Sequence, residues 1–240
     1  MARSGADVAQ LIETGGLRAL LYRSRRRTLS IQVEPERGLV LRAPYGASPA
    51  ALRDFLERRR AWIERQRGRV AAQAAADPVP RWVDGELLAY LGERLPLRIE
   101  AGSPASARLS GGAIRARVPE PGDAEQVRAA VERLYAREAA RLFPAYLAEC
   151  LALPAAGGLP PPELRVRAMR SRWGSCDTAR RVVTLNRGLV RRSPELIRYV
   201  IMHELAHLRH RAHDAAFYGL LARLCPGWEG LRAALAEVRP

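Results

Sequence analysis

The sequence predicts an α+β fold, with a β-rich region over residues 1–121 and a second region over 122–240 that is dominated by helices. Three observations carry this expectation. Short stretches of alternating apolar and polar residues mark strands early in the chain, apolar residues at helical spacing mark longer helices later, and proline and glycine clusters separate the two kinds of element.

In chain order, "RALLYRSRRRTLSIQV" (18–33) alternates as strand, and "GLVLRAP" (38–44) follows the turn-like "EPER", so the pair is expected to form a β-hairpin. "SPAALRDFLERRRAWIERQ" (48–66) opens with a Ser N-cap and a Pro at the first helical position. It spaces Leu52, Phe55, Leu56 and Ile63 for one helix face. The β-β-α plan recurs: "LLAYLGERLPLRIE" (87–100), "SARLSG" (106–111) and "GAIRARVP" (112–119) are short strands. "GDAEQVRAAVERLYAREAARLFPAYLAECLA" (122–152) is one helix, or two divided at Pro144. Gly38–Pro44 and Gly112–Pro119 occupy comparable places, a weak internal repeat that two generic modules explain equally well. "AAQAAADPVP" (71–80) is the expected flexible joint between them.

After the loop "LPAAGGLPPP" (153–162), "ELRVRAMRSRW" (163–173) and "VVTLN" (182–186) alternate as strands. "SPELIRYVIMHELAHLRH" (193–210) is a helix with Ser193 as N-cap, Pro194 at N1 and Glu195 in the first turn. A further helix is expected through "HDAAFYGLLARLC" (213–225), ending before Pro226.

All four histidines of the 240-residue chain lie in "HELAHLRHRAH", 203–213. On a helix, His203 and His207 stand about 40° apart in azimuth and one turn apart in height, so both imidazoles reach one ion. Glu204 lies about 60° from His207, placed to take a proton from a water on that ion. This is the HExxH arrangement of a zinc hydrolase, set behind the apolar run Leu196–Met202 in a helix that ought to be buried. A third ligand is required with a fourth position open. His213 is the favoured candidate, with Glu229 and Glu237 as alternatives. The ten-residue interval from His203 to His213 matches that of metzincins, with His210 at the place of their turning glycine, where a left-handed conformation is expected if the turn is kept. The methionines, Met1, Met169 and Met202, all precede His213 and so exclude the methionine turn of that class.

Composition bounds the rest. Net charge is +15, every basic residue is arginine, and lysine is absent, which excludes Schiff-base chemistry and a lysine-ended phosphate loop. The excess is divided between the outer thirds, +7 over 1–77 and +8 over 161–240, so a nucleotide or nucleic acid is an admissible partner. Cys150, Cys176 and Cys225 are widely spaced and odd in number, which suits a reducing compartment. No apolar run approaches the roughly 20 residues of a membrane span, and "MARSGADVAQLIETGG" lacks a secretory apolar stretch, so a soluble cytoplasmic protein is expected, with no membrane partner.

"SRWGSC" (171–176), "TLNRGLV" (184–190) and "LIRYVIMHELAHLRHRAHDAAFYGLL" (196–221), with the early "RSRRRTLSIQV", "GLVLRAP" and "AWI", together resemble the YgjP-like metallopeptidase family, relatives of the SprT-like and WLM zincins. The resemblance implies a zincin-like catalytic domain, one zinc held by His203, His207 and His213, and Glu204 as general base and acid. Tyr218 departs from the tryptophan expected after Phe217, and is assigned either to aromatic packing or to contact with the site. By the same resemblance Arg172 is expected at a substrate carbonyl or carboxylate, Trp173 under the active-site helix, Cys176 near the metal or buried as a structural thiol, and Asn186 as a cleft hydrogen-bonder or a strand-end turn residue. Arg172, Trp173, Asn186 and Tyr218 are thus the candidate substrate-binding residues. Peptide-bond hydrolysis is the leading reaction. Hydrolysis of a nucleoside triphosphate's phosphoanhydride on the same metal and a DNA-associated, SprT-like protease are the alternatives.

Overall fold

Eleven strands and six α-helices are formed among the residues that the structure, a computed structural model, describes: 10–34, 37–76 and 78–238. They fall into two compact units, Met1–Pro78 and Val79–Pro240.

The first unit holds β1 (Gln10–Thr14), β2 (Leu17–Ser24), β3 (Ser30–Glu34), β4 (Gly38–Pro44), α1 (Pro49–Arg58) and α2 (Arg60–Ala76). The sheet order is β1-β2-β4-β3. β3 and β4 form the expected antiparallel hairpin, with Glu34 opposite Gly38; Pro35 and Glu36 of its turn lie outside the described residues. The stretch 18–33 is two strands rather than one, because its arginine-rich centre leaves the sheet and lets β2 pair parallel with β4. Leu17, Ala19 and Leu21 of β2 and Leu39, Leu41 and Ala43 of β4 point, at the two-residue period of a strand, into a core closed by Leu52, Leu56 and Ile63. The expected single helix breaks at Arg59 into α1 and α2. α2 continues to Ala76, so most of the 71–80 joint is helical, Asp77 lies outside the described residues, and the units divide between Pro78 and Val79.

The second unit begins with β5 (Leu87–Tyr90), β6 (Glu93–Ala101), β7 (Ser106–Ser110) and β8 (Ala113–Val118), ordered β5-β6-β8-β7. β6 and β8 are parallel and β7–β8 is a hairpin, so the first unit's sheet topology recurs strand for strand. α3 (Ala124–Leu151) packs on β7 and β8. The boundary expected after residue 121 therefore falls inside this unit, between elements that share one core. α3 runs through Pro144 unbroken. Pro144 and Ala140, whose carbonyl loses its partner, are both on the exposed face, while Phe143, Tyr146, Leu147 and Cys150 remain buried beyond the proline.

A three-stranded sheet, β10-β11-β9, follows: β9 (Glu163–Arg167), β10 (Gly174–Asp177) and β11 (Val182–Asn186). The residues 168–173, expected as strand, are irregular and return the chain so that β10 pairs antiparallel with β11 at the sheet edge. α4 (Pro194–His207) is the central helix, packed against α3, β10, β11, α5 (Ala215–Leu224) and α6 (Trp228–Ala236). α6 lies beyond the last element legible in the sequence.

The start of α4 is fixed twice. Ser193 Oγ accepts from the Leu196 amide, and the β5–β6 turn docks against it, with Leu91 N donating to Val190 O at 2.8 Å. Gly92, at φ +86°, comes so close to Ser193 that a Cβ would stand 3.0 Å from its Cα. Both turn residues are left-handed, as a two-residue hairpin turn requires. Among the described residues no helix is long and apolar enough to cross a membrane.

Candidate metal centre and active site

α4 carries His203, Glu204 and His207 toward the β10 side, and the chain then leaves the helix: the amides of Leu208, Arg209 and His210 close on Leu205 and Ala206. The helix ends three residues earlier than the sequence suggests. The short loop that results brings His213 back over the other two imidazoles. His210 has no left-handed backbone, so the turn is made without the conformation a glycine would supply.

Ligand atoms of His203, His207 and His213 lie within 4.8 Å of one another. His203 Nε2 and His213 Nε2 are 3.2 Å apart, close to the roughly 3.3 Å edge of a tetrahedron with zinc–nitrogen bonds of 2.0–2.1 Å. His207 Nδ1 faces the His210 carbonyl at 3.0 Å. A carbonyl only accepts, so Nδ1 is the protonated nitrogen and the Nε2 lone pair is free for an ion. His203 Nδ1 is buried and meets no hydrogen-bond partner among the described residues. Burial, with the neighbouring His207, His213 and Arg232, pushes His203 down to about 4; burial and then His207 and Arg232 lower His213. Neutral imidazoles are the form that ligates. The lowered His203 and His213, the His207 hydrogen bond and the spacing all fit a tetrahedral metal ion.

The three rings rest on Phe217, fully buried on α5, at centroid distances of 5.0 Å from His203, 4.6 Å from His207 and 4.7 Å from His213. α5 is started by Asp214, whose Oδ1 accepts from the Phe217 amide. The third histidine and the platform beneath all three are therefore fixed by one cap.

Glu204 is 6% exposed. Burial raises its carboxyl to about 7, against an opposing pull from the Arg172 guanidinium. It lies against Gly174 so closely that a Cβ there would stand 2.6 Å from Oε1. A cleft of about 420 Å³ opens at this point, lined by the three histidines, Glu204, Arg172, Gly174, Ser175, Cys176, Thr178 and Arg211. Cys176 is half-buried in this wall, and burial, then the Glu204 and Asp177 charges, push its thiol up to about 11.

Of the four residues expected at the substrate, only Arg172 lines the cleft. Trp173 packs on the core with the Arg192 guanidinium 5.3 Å above its ring. Asn186 is buried; its Nδ2 donates to the Met169 and Arg172 carbonyls and its Oδ1 accepts from Gly188, so it braces the loop before β10. Tyr218 stacks between His213 and Trp228, with Arg232 at 3.5 Å from its hydroxyl. These three act on the walls rather than at the cleft surface, because each spends its polar or aromatic face on a protein neighbour. Sequence reasoning missed Gly174, Phe217 and Arg211. Phe217 and Gly174 fall inside the segments that carry the family resemblance, 196–221 and "SRWGSC", but neither was given a role there.

The solved structures that resemble this chain include the metallopeptidase zymogen abylysin of Pyrococcus abyssi, 20% identical over 39% of this chain and 90% of its own, with a TM-score of 0.36. The metallopeptidase zymogen jannalysin of Methanocaldococcus jannaschii is 18% identical over 39% and 92%, with a TM-score of 0.34. No curated protein matches the chain. A family model, "YgjP-like, metallopeptidase domain", matches residues 27–238, a span that takes in β3 through α6 and every residue of the cleft. The chain belongs to the YgjP-like metallopeptidase family.

Proposed function

We propose that the protein is a zinc-dependent peptidase that cleaves polypeptides, with His203, His207 and His213 as ligands and Glu204 as general base and acid. The observation that carries this reading is the convergence of three imidazoles beside one buried carboxylate, on a wall formed by an edge strand. A metal held there supplies Lewis acidity, lowering the pKa of a coordinated water toward about 7 and polarising the scissile carbonyl.

Glu204 takes the proton from the attacking water as the new C–O bond forms, and delivers it to the amine nitrogen as the C–N bond breaks. A carboxyl raised to about 7 suits both transfers near neutral pH. β10, at the sheet edge and in the cleft wall, offers its outer main-chain groups to an extended peptide. Arg172 lines the same cleft as Glu204, on whose carboxyl its charge pulls, and meets a substrate carbonyl or carboxylate. The three unpaired thiols suit a cytoplasmic location.

Hydrolysis of a nucleoside triphosphate is the second reading, favoured by the two arginines of the cleft. It ranks below the first because magnesium-assisted phosphoryl chemistry gathers carboxylates, and this cleft is lined by one.

The test is metal content of the wild type, His207→Ala and Glu204→Gln, beside turnover of an unstructured protein and of nucleoside triphosphates. One zinc per chain in the wild type and in Glu204→Gln, lost in His207→Ala, with protein cleaved by the wild type alone, is expected. Equal metal in His207→Ala would overturn the ligand set, and turnover of nucleotides alone would overturn the peptidase.

A further inference from the structure

The charge around the triad is one-sided. Apart from the histidines and Glu204, the charged residues of the cleft are Arg172 and Arg211. Two acids lie near them in sequence, and each uses Oδ1 on main-chain amides: Asp177 Oδ1 accepts from Ala179 and Arg180, and Asp214 Oδ1 caps α5. Neither forms an ion pair with Arg172 or Arg211 among the described residues.

Arg211 is held in place. Its Nε donates to Thr178 Oγ1 at 2.9 Å, tying the loop that carries His213 to the turn just after β10. That bond uses one of five guanidinium donors, and the two Nη groups make no hydrogen bond or ion pair among the described residues. The guanidinium of Arg172, exposed and two residues before β10, likewise makes no hydrogen bond or ion pair among them, its main-chain carbonyl being the group that Asn186 holds. The two arginines thus bracket the edge strand. At about 3.4 Å per residue, an extended peptide laid along the four residues of β10 covers roughly 14 Å, with Arg172 beyond one end of the strand and the Thr178–Arg211 pair beyond the other.

Taking the peptidase reading as its basis, we propose that the cleft selects peptides bearing a carboxylate, gripped by the free fork of Arg211 that Thr178 holds at the end of β10, with Arg172 attracting a second acidic group at the other end. A guanidinium fork matches a carboxylate in two parallel hydrogen bonds, and basic side chains are repelled from both ends. The edge strand favours the carboxylate of a polypeptide over the phosphate of a nucleotide, since only a peptide main chain completes its ladder.

The test is binding of fluorescent peptides to zinc-loaded Glu204→Gln, in a series of one sequence carrying Glu, Gln or Lys on either side of the centre, each with free and amidated carboxyl termini. Glu peptides are expected to bind about tenfold tighter than Gln peptides, one charge-assisted hydrogen bond's worth, and Lys peptides more weakly still. Adding Arg211→Gln reduces the Glu:Gln ratio to about twofold or less, Arg211→Glu reverses it toward Lys, and Thr178→Val lowers it partway. A preference that follows the free carboxyl terminus, and not the side chains, assigns the grip to the α-carboxylate and still supports it. Equal binding across the series, a Glu preference that survives both Arg211→Gln and Arg172→Gln, or displacement of peptide by nucleoside triphosphate at lower concentration than by any Glu peptide would overturn the proposal. Wild-type turnover of the same series separates the two readings. Cleavage without acidic preference overturns the carboxylate grip alone, whereas preferential binding without any cleavage overturns the peptidase and leaves the grip standing.

Discussion

Gly174 has no side chain where the Glu204 carboxylate needs room. A Cβ at 174 would stand 2.6 Å from Oε1, 2.8 Å from Cγ and 2.9 Å from Cδ, all of them atoms of one side chain, with β10 behind it. The far end of Glu204 would yield before the backbone does, so Gly174→Ala is expected to fold and to keep its metal while displacing the carboxylate. A misplacement of about 1 Å in a catalytic group costs on the order of 10²-fold in rate. The expected result is therefore kcat lowered by about that factor with metal content unchanged, and loss of metal in Gly174→Ala would show instead that the strand holds the ligand helix. The histidines and Glu204 were legible in the sequence because helical geometry relates residues one turn apart. Gly174 was legible only as part of "SRWGSC" and its contact with Glu204 was not, since that partner is 30 residues away and the contact exists only after β10 docks on α4.

At the scale of elements, α5 matters to the site more than its sequence suggests, because Phe217 is the floor under all three imidazoles. Truncating a fully buried phenylalanine costs about 3–5 kcal/mol. Phe217→Ala is expected to melt at lower temperature and also to hold metal more weakly, since the rings lose their common support. Phe217→Leu, which keeps the apolar volume better, should recover most of the stability and less of the metal affinity; equal recovery of both would mean that the ring shape plays no part. α3 carries a separate prediction. Burial, then the Glu138 charge, raises the Tyr90 phenol to about 12, and burial raises the Cys150 thiol to about 12. Both folded-state values lie above the unfolded ones, so folding favours the protonated forms. Their contribution is complete below about pH 8.5, begins to fall as unfolded Cys and then Tyr ionise, and is lost as pH approaches 12. The melting temperature is expected to fall from pH 8.5 to 11, less steeply in Tyr90→Phe. The starts of α1 and α4 were legible because Ser48 and Ser193 cap within four residues of themselves, whereas the Asp123 cap of α3 was not read from the sequence. Where one strand stretch becomes two, or a strand ends before its alternation does, the choice lies with pairing partners elsewhere in the chain, as for β2 with β4 and β10 with β11.

Over the whole molecule, the same four-stranded topology is built twice, β1-β2-β4-β3 and β5-β6-β8-β7, and then used differently. The faint likeness of Gly38–Pro44 to Gly112–Pro119 was the trace of this in the sequence: β4 and β8 hold the same place in the two sheets, each between a parallel and an antiparallel neighbour. In the first unit the sheet is closed by α1 and α2 around its own small core. In the second, the sheet shares a continuous core with α3, α4 and α5, and its β5–β6 turn docks on the start of the ligand helix. A change from strands to helices after residue 121 is visible in the sequence and says nothing of this shared core. The consequence is testable by truncation. Residues 79–240 hold every cleft residue and a core of domain size, so this fragment is expected to melt cooperatively and to bind one metal per chain. Cutting instead at residue 122 removes the sheet on which α3 rests and the turn that abuts Ser193, and that fragment should neither melt cooperatively nor retain metal. Circular dichroism melts and metal content of the two fragments decide it, and a stable, metal-binding 122–240 fragment would mean that the second sheet is an accessory to the site and not part of its foundation.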